Sequence, residues 1–255
     1  RLIPDGLPLD RETAALIVGY PNFFGQIEDL APLAAAAHGV GACLLVVANP
    51  IALGLLEAPG NLGADIVVGE GQPLGSWPSF GGPGLGFMAC RDEFLRRLPG
   101  RLVGQTVDTE GRRGFVLTLQ TREQHIRRER ATSNICTNAA LLALRAAVYL
   151  ATLGPEGLRA VAEQSAAAAH LAAELLSAGG RFSLLFSGPY FHEFALRTPV
   201  APARLNAALW EEGIIGGLDL GPYYPELGPA MLLSFTELSS RPAIERLVRI
   251  LEETR

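Results

Sequence analysis

The chain reads as an α/β protein: a parallel sheet layered with helices, followed by a second, smaller α/β layer. Three observations predict this. Short apolar runs ending in Gly, Pro or Asn alternate with Ala/Leu-rich stretches of helical composition over the first hundred residues, which is the pattern of βαβ units. Gly154-Pro155 then interrupts a long helical stretch. Beyond that point the pattern changes to helices alternating with short strands. Hydrophobic residues make up 49% of the chain and charged ones 18%, a composition that can bury a core and is unlike that of disordered chains.

Taken in order, ALIVGYPN (15–22) is a strand stopped by Pro21 and Asn22. DLAPLAAAAHG is a helix, with Gly39 as its expected C-terminal cap. ACLLVVANP (42–50) and ADIVVGE (64–70) are the next strands, with a short helix over IALGLLEA between them. Right-handed crossovers between such strands give parallel pairing, with helices expected on both faces. GEGQPLGSWPSFGGPGLG precludes regular structure until LGFMAC resumes as a strand. RDEFLRRLPG reads as helical, and residues 103–136 read as a long polar connection. Thr137 to Leu153 reads as a buried helix that Gly154-Pro155 breaks. PEGLRAVAEQSAAAAHLAAELLSAGG is a second long helix; RFSLLF, HEFALRT and AMLLSFTE (230–237) are strands; PARLNAALWEEG and the final SSRPAIERLVRILEETR are helices. Ser239 or Ser240 caps the last one, with Pro242 in its first turn. The expected domains are 1–153 and 154–255.

Composition narrows the function. A formal net charge of -5 and the lack of a dense Arg block argue against a nucleic-acid partner. Cys43, Cys90 and Cys136 are widely spaced, with no CxxC, so neither a disulfide framework nor a zinc site is expected, and the reading is a reduced, cytoplasmic protein. No uninterrupted apolar run reaches the roughly eighteen residues of a membrane span. RLIPDGLPLDRE lacks the apolar core of a signal peptide. All 21 residues in the Lys+Arg count are Arg. The abundance of Ala, Gly, Leu, Arg and Pro suggests codon bias as the source. Whatever the source, these 255 residues contain no ε-amine for covalent catalysis.

Several segments carry polar chemistry. Gly81-Gly82-Pro83-Gly84-Leu85-Gly86 has amides that would suit a phosphate. It has neither the Walker spacing nor the dinucleotide fingerprint, however, and precedes a strand, so a structural turn is the competing reading. His125, in a polar segment, and Cys136 are the residue types of a base and a nucleophile, but no third group completes a triad. His38 and His170 lie in Ala-rich helices and His192 in an apparent strand, without metal-ligand spacing. Thr132, Ser133, Asn134, Thr137 and Asn138 cluster just before a helix. They would cap it, or hold a phosphate or carboxylate.

LTLQTREQHIRRERATSNICTNAALLAL (117–144) and GQPLGSWPSFGGPGLGFMAC (71–90) resemble signature strings of glycine dehydrogenase (decarboxylating), the P-protein of the glycine cleavage system. Within that family they resemble subunit 1, the α chain. YPNFFGQIEDL (20–30) and AALLALRAAVYLATLGPEGLR (139–159) fit as well, so the likeness spans nearly the whole sequence. The resemblance implies fold type I of the pyridoxal-phosphate enzymes, with this sequence supplying the later part of the large sheet domain and the small C-terminal domain. A C-terminal fragment of a longer chain is therefore expected.

Counting back from the Gly-Gly-Pro-Gly string, the cofactor lysine of catalytic relatives falls at Gln72, or at Pro73 with a one-residue gap. The aspartate that faces the pyridine nitrogen in those relatives falls at Val46, with Ala48 and Asn49 aligned on their Ala-Asn pair. The resemblance thus implies a subunit with no catalytic residue and no covalently bound cofactor of its own. It would pair with glycine dehydrogenase subunit 2, the β chain that carries pyridoxal phosphate. Together they would act on glycine and pass the aminomethyl group to the lipoyl arm of the H-protein. Thr132, Ser133 and Asn134 are the implied contacts to the partner's cofactor phosphate. The alternatives are a structural scaffold that stabilises the catalytic subunit without touching its cofactor, and an independent hydrolase using Cys136 and His125.

Overall fold

In a computed structural model, residues 8–131 and 139–255 are described. The first layer is a four-stranded sheet of β1 (Ala15–Tyr20), β2 (Cys43–Ala48), β3 (Ile66–Glu70) and β4 (Gly86–Cys90), hydrogen-bonded in that order. β1, β2 and β3 are parallel, in a register that aligns Val18 with Val46 and Val46 with Val67. β4 returns antiparallel to β3. The crossover from β1 to β2 is α1 (Leu30–Gly39), which buries Leu30, Ala34 and Ala37 at intervals of four and three, one stripe of a 3.6-residue helix. Those side chains pack on the sheet face carrying Val18, Tyr20, Leu44, Val46 and Ala48.

Two expectations change here. The opposite face is not covered among the described residues: Ile17 is 65% exposed and Val47 45%. The turn that ends α1 is made at Gly41, which has a positive φ, one residue beyond the cap at Val40, so Gly39 stays helical.

Between the layers the chain is less regular. The stretch IALGLLEA forms only a 3-10 turn at Ala52–Gly54, and RDEFLRRLPG a 3-10 segment at Asp92–Arg97, where helices were expected. Part of the expected polar connection is a β-hairpin of β5 (Leu102–Val107) and β6 (Arg113–Thr118), which among the described residues pair only with each other. Its turn is held by Asp108, whose Oδ1 accepts from the amides of Glu110 and Arg112, both at 2.9 Å. Those Arg112 hydrogen bonds, to backbone and side chain, hold the Asp108 carboxyl below its ordinary range. A short α2 (Gln124–Arg127) follows.

α3 (Ala140–Ala178) is two helices in line, broken at Gly154, whose φ of 63° and ψ of -176° belong to a region that glycine adopts. The first half was expected to be buried, yet Leu141, Leu144 and Val148 are 76%, 61% and 58% exposed. By length and composition α3 would reach across a membrane only if its two halves were counted as one unbroken helix. Its second half, through Ala168, Ala169, Ala172, Ala173 and Leu176, is instead the central helix of the second core.

That core is closed by an antiparallel sheet of β7 (Ser183–Leu184), β8 (Glu193–Arg197), β9 (Leu218–Asp219) and β10 (Ala230–Ser234), in the order β7-β8-β10-β9. α4 (Pro202–Glu211) buries Leu205 and Leu209, and α5 (Arg241–Glu253) buries Ile244, Ile250 and Leu251 against the same apolar centre. Ser240 caps α5, its hydroxyl accepting from the Ala243 amide at 3.4 Å.

Candidate functional site

In an open parallel sheet, side chains and ligands converge at the carboxyl ends of the strands. Here those ends are Tyr20, Ala48 and Glu70, and the amide of Asn49, one residue past β2, donates to the Tyr20 carbonyl at 3.0 Å. The Asn49 side chain turns the chain after β2, its Oδ1 accepting from the Ile51 amide at 2.9 Å. Its Nδ2 lies 3.1 Å from Nε2 of His192, which comes from the residue before β8. An amide nitrogen only donates, so Nε2 accepts, and Nδ1 donates to the Phe235 carbonyl at 3.0 Å. His192 is thus a neutral bridge from the end of β2 to the second sheet.

The same junction is sealed by the loop after β1. Ile27 donates to the Pro189 carbonyl at 2.8 Å and Phe191 to the Gly25 carbonyl at 3.1 Å. A Cβ on Gly25 would lie 1.9 Å from the Glu193 carbonyl oxygen, so only glycine passes there.

The residues at the resembled cofactor positions can be tested against pyridoxal phosphate. Val46 has no exposed surface and is packed among Val18, Leu30, Ala34 and Leu44. No carboxylate stands there to support a ring nitrogen. Gln72 turns its side-chain amide onto the carbonyl of Ser76 and is an amide, not an amine. Pro73 has no donor, and no lysine exists elsewhere in the chain. These residues do not fit a covalently held cofactor.

Other candidates are dispersed. His125 is exposed on α2. Thr132, Ser133, Asn134, Cys136, Thr137 and Asn138 lie outside the described residues. His170 stacks on Tyr190 with ring centroids 4.2 Å apart and donates to that residue's carbonyl, a packing role. His38 donates to the buried carboxylate of Asp65 at 2.8 Å, tying α1 to the sheet. Among the described residues no group of three metal-ligating side chains converges.

Sequence reasoning missed Glu70 and the partnership of Asn49 with His192. The first had a signal, a carboxylate directly before a glycine-rich loop. The second had none, since its members are 143 positions apart.

The comparisons with known proteins agree with this layout. The glycine cleavage system P-protein family model matches residues 3–251. A probable glycine dehydrogenase (decarboxylating) subunit 1 from Desulforamulus reducens is 59% identical over 239 residues, covering 94% of this chain and 54% of that protein. The chain therefore spans about half the length of the curated relatives it matches. A crystal structure of glycine decarboxylase (P-protein) of the glycine cleavage system, in inhibitor-bound form, superposes with a TM-score of 0.89 at 48% identity, over 97% of this chain and 56% of that one. A cysteine desulfurase from Escherichia coli, at 21% identity and a TM-score of 0.65 over 97% of this chain and 60% of that one, shares the fold alone. The fold is that of the type I pyridoxal-phosphate enzymes, and the chain belongs to the glycine cleavage system P-protein family.

Proposed function

We propose that this chain is a required but non-catalytic part of a glycine-decarboxylating enzyme, working beside a companion subunit 2 that holds pyridoxal phosphate. The carrying observation is the resembled cofactor wall: Val46 sealed in apolar packing and Gln72 in the lysine position, in a chain without a lysine. When bound by the companion, the cofactor supplies the electron sink for loss of the glycine carboxylate. The aminomethyl group then passes to the lipoyl arm of the H-protein. This chain contributes shape and contacts. Residues 1–153 form its share of the large domain, 154–255 the small domain, and the assembly works in the cytoplasm.

Type I sites lie at dimer interfaces, and Thr132, Ser133 and Asn134, which lie outside the described residues, are the proposed contacts to the partner's cofactor phosphate. Replacing Thr132 and Ser133 by Ala together should lower the activity of the assembled enzyme by about tenfold or more, as expected for losing hydrogen bonds to a charged group. Assembly with unchanged activity would remove these residues from the site. Mixing pyridoxal phosphate with each purified subunit should give a visible absorbance band only when the companion is present. A band from the subunit containing this chain alone would overturn the non-catalytic reading.

A scaffold that never touches the cofactor is favoured by one feature, the hairpin of β5 and β6. Two strands paired only with each other are marginal in water, and Val103, Val107 and Phe115 are each more than 60% exposed. Cofactor affinity of the companion with and without this chain separates the readings: a large change supports a shared site, and no change supports a scaffold.

A further inference from the structure

The glycine-rich loop that follows β3 has its anion-binding capacity already taken. Glu70, the last residue of β3, folds its carboxylate back over the loop, and a single oxygen, Oε1, accepts from the Gln72 amide at 2.8 Å and from the Leu85 amide at 2.7 Å. Those two amides sit at opposite ends of the loop. The ends are also joined by the Gly71 amide donating to the Leu85 carbonyl at 2.5 Å. The other oxygen, Oε2, lies only 2.8 Å from where a Cβ on Gly84 would stand. A side chain at 84 would therefore press on the tip of Glu70.

Convergent backbone amides in a glycine-rich turn are the usual receptor for phosphate. Among the described residues, the hydrogen-bond partners of the Glu70 carboxylate are these two amides.

We infer that this loop is an anion cradle filled by the chain's own Glu70, which clasps residues 71–85 and closes the cradle to phosphate. A phosphate would have to displace a tethered carboxylate and would be repelled by its negative charge at close range. Glu70 is thus a positioning residue: it fixes the backbone of Gln72, the residue in the resembled lysine position. The inference deepens the reading that this chain holds no cofactor of its own, adding that its loop also refuses the phosphate end.

The test is hydrogen exchange at the Gln72 and Leu85 amides in the full-length protein. In Glu70→Ala both amides should exchange about tenfold faster or more, the loss of a charge-assisted hydrogen bond. Sodium acetate should slow them again, while sodium chloride at the same ionic strength should not. In the wild-type protein, inorganic phosphate should leave both rates unchanged. Equal exchange in wild type and Glu70→Ala, or protection of the wild-type amides by phosphate, would overturn the inference. If Glu70→Ala does not fold, Glu70→Gln serves: it keeps an acceptor oxygen without the charge, and exchange as slow as wild type would again overturn the proposal. These rates report the clasp alone, whereas the absorbance experiment reports cofactor attachment, so either idea can fail without the other.

Discussion

Asp65, just before β3, shows how one buried side chain can organise three elements. Its Oδ2 accepts from the Leu44 amide at 2.7 Å and from His38 Nε2 at 2.8 Å, and its Oδ1 lies 3.4 Å from Nε of Arg91. Arg91 also donates to the carbonyls of Ala64 and Gly63. The end of α1, the start of β2 and the segment after β4 meet at this carboxylate. Burial pushes its pKa up, but the hydrogen bonds from His38 and Leu44 and the charges of His38 and Arg91 outweigh burial, so it titrates below the ordinary carboxylate value. A depressed folded-state pKa means stability that is present above the unfolded value of about 3.9 and is lost as pH falls through the folded value. Asp65→Asn should therefore cost about 2 kcal/mol at neutral pH, and the gap from wild type should narrow as pH falls below about 4. Urea unfolding at neutral pH and at about pH 3 checks this; a gap of constant size would mean that charge plays no part. None of these partners could be read from local pattern, because His38 and Asp65 are 27 positions apart.

At the scale of elements, Gly154 was legible and the hairpin was not. A Gly-Pro pair inside a helical pattern marks a break by itself, since proline lacks the amide and glycine tolerates the turn. At a φ of 63° and a ψ of -176°, Gly154→Ala should cost about 1–3 kcal/mol of backbone strain. No neighbouring atom lies within 4 Å of the added Cβ, so the cost would be conformational. Thermal unfolding of the variant measures it; an unchanged midpoint would show that the break relaxes freely. The hairpin was hidden by Gln105, Thr106, Asp108, Glu110, Arg112 and Arg113, whose polarity reads as a connection. Its strand character lies in alternation too short to distinguish from a loop. The first half of α3 misleads in the opposite sense. An Ala/Leu-rich composition reads as burial, but composition does not say whether the covering surface belongs to the same chain.

Over the whole molecule, the two sheets are joined by polar contacts at the carboxyl end of β2 and by apolar packing of Phe24 on Ala195, Leu220 and Ala230 and of Ile51 and Ala52 on Ala162 and Phe191. His192→Ala would leave the Asn49 side-chain amide and the Phe235 carbonyl without their partner, at a cost of about 2 kcal/mol. Faster hydrogen exchange around Asn49 and the loop from Asn22 to Ile27 is the expected outcome. Unchanged exchange would mean that the Gly25 and Ile27 contacts and the apolar packing of Phe24, Ile51 and Ala52 hold the junction without His192. The exposed faces have a common physical reading. Ile17 and Val47 on the first sheet and the outer side of α3 would be buried only by polypeptide beyond the described residues, which agrees with a chain spanning about half the length of its relatives.

By itself, the sequence determined the order of the core strands and long helices, the break at Gly154, the family, and the impossibility of lysine chemistry within these residues. Each of these depends on residue identity or on neighbours a few positions apart. Only the tertiary structure decided that β4 runs antiparallel, that one sheet face and half of α3 stay exposed, that His192 bridges to Asn49, and that Glu70 fills its own glycine-rich loop. Those outcomes depend on which distant segments meet when the chain closes. Local periodicity sets the face a residue occupies, while the packing of remote segments sets what that face meets.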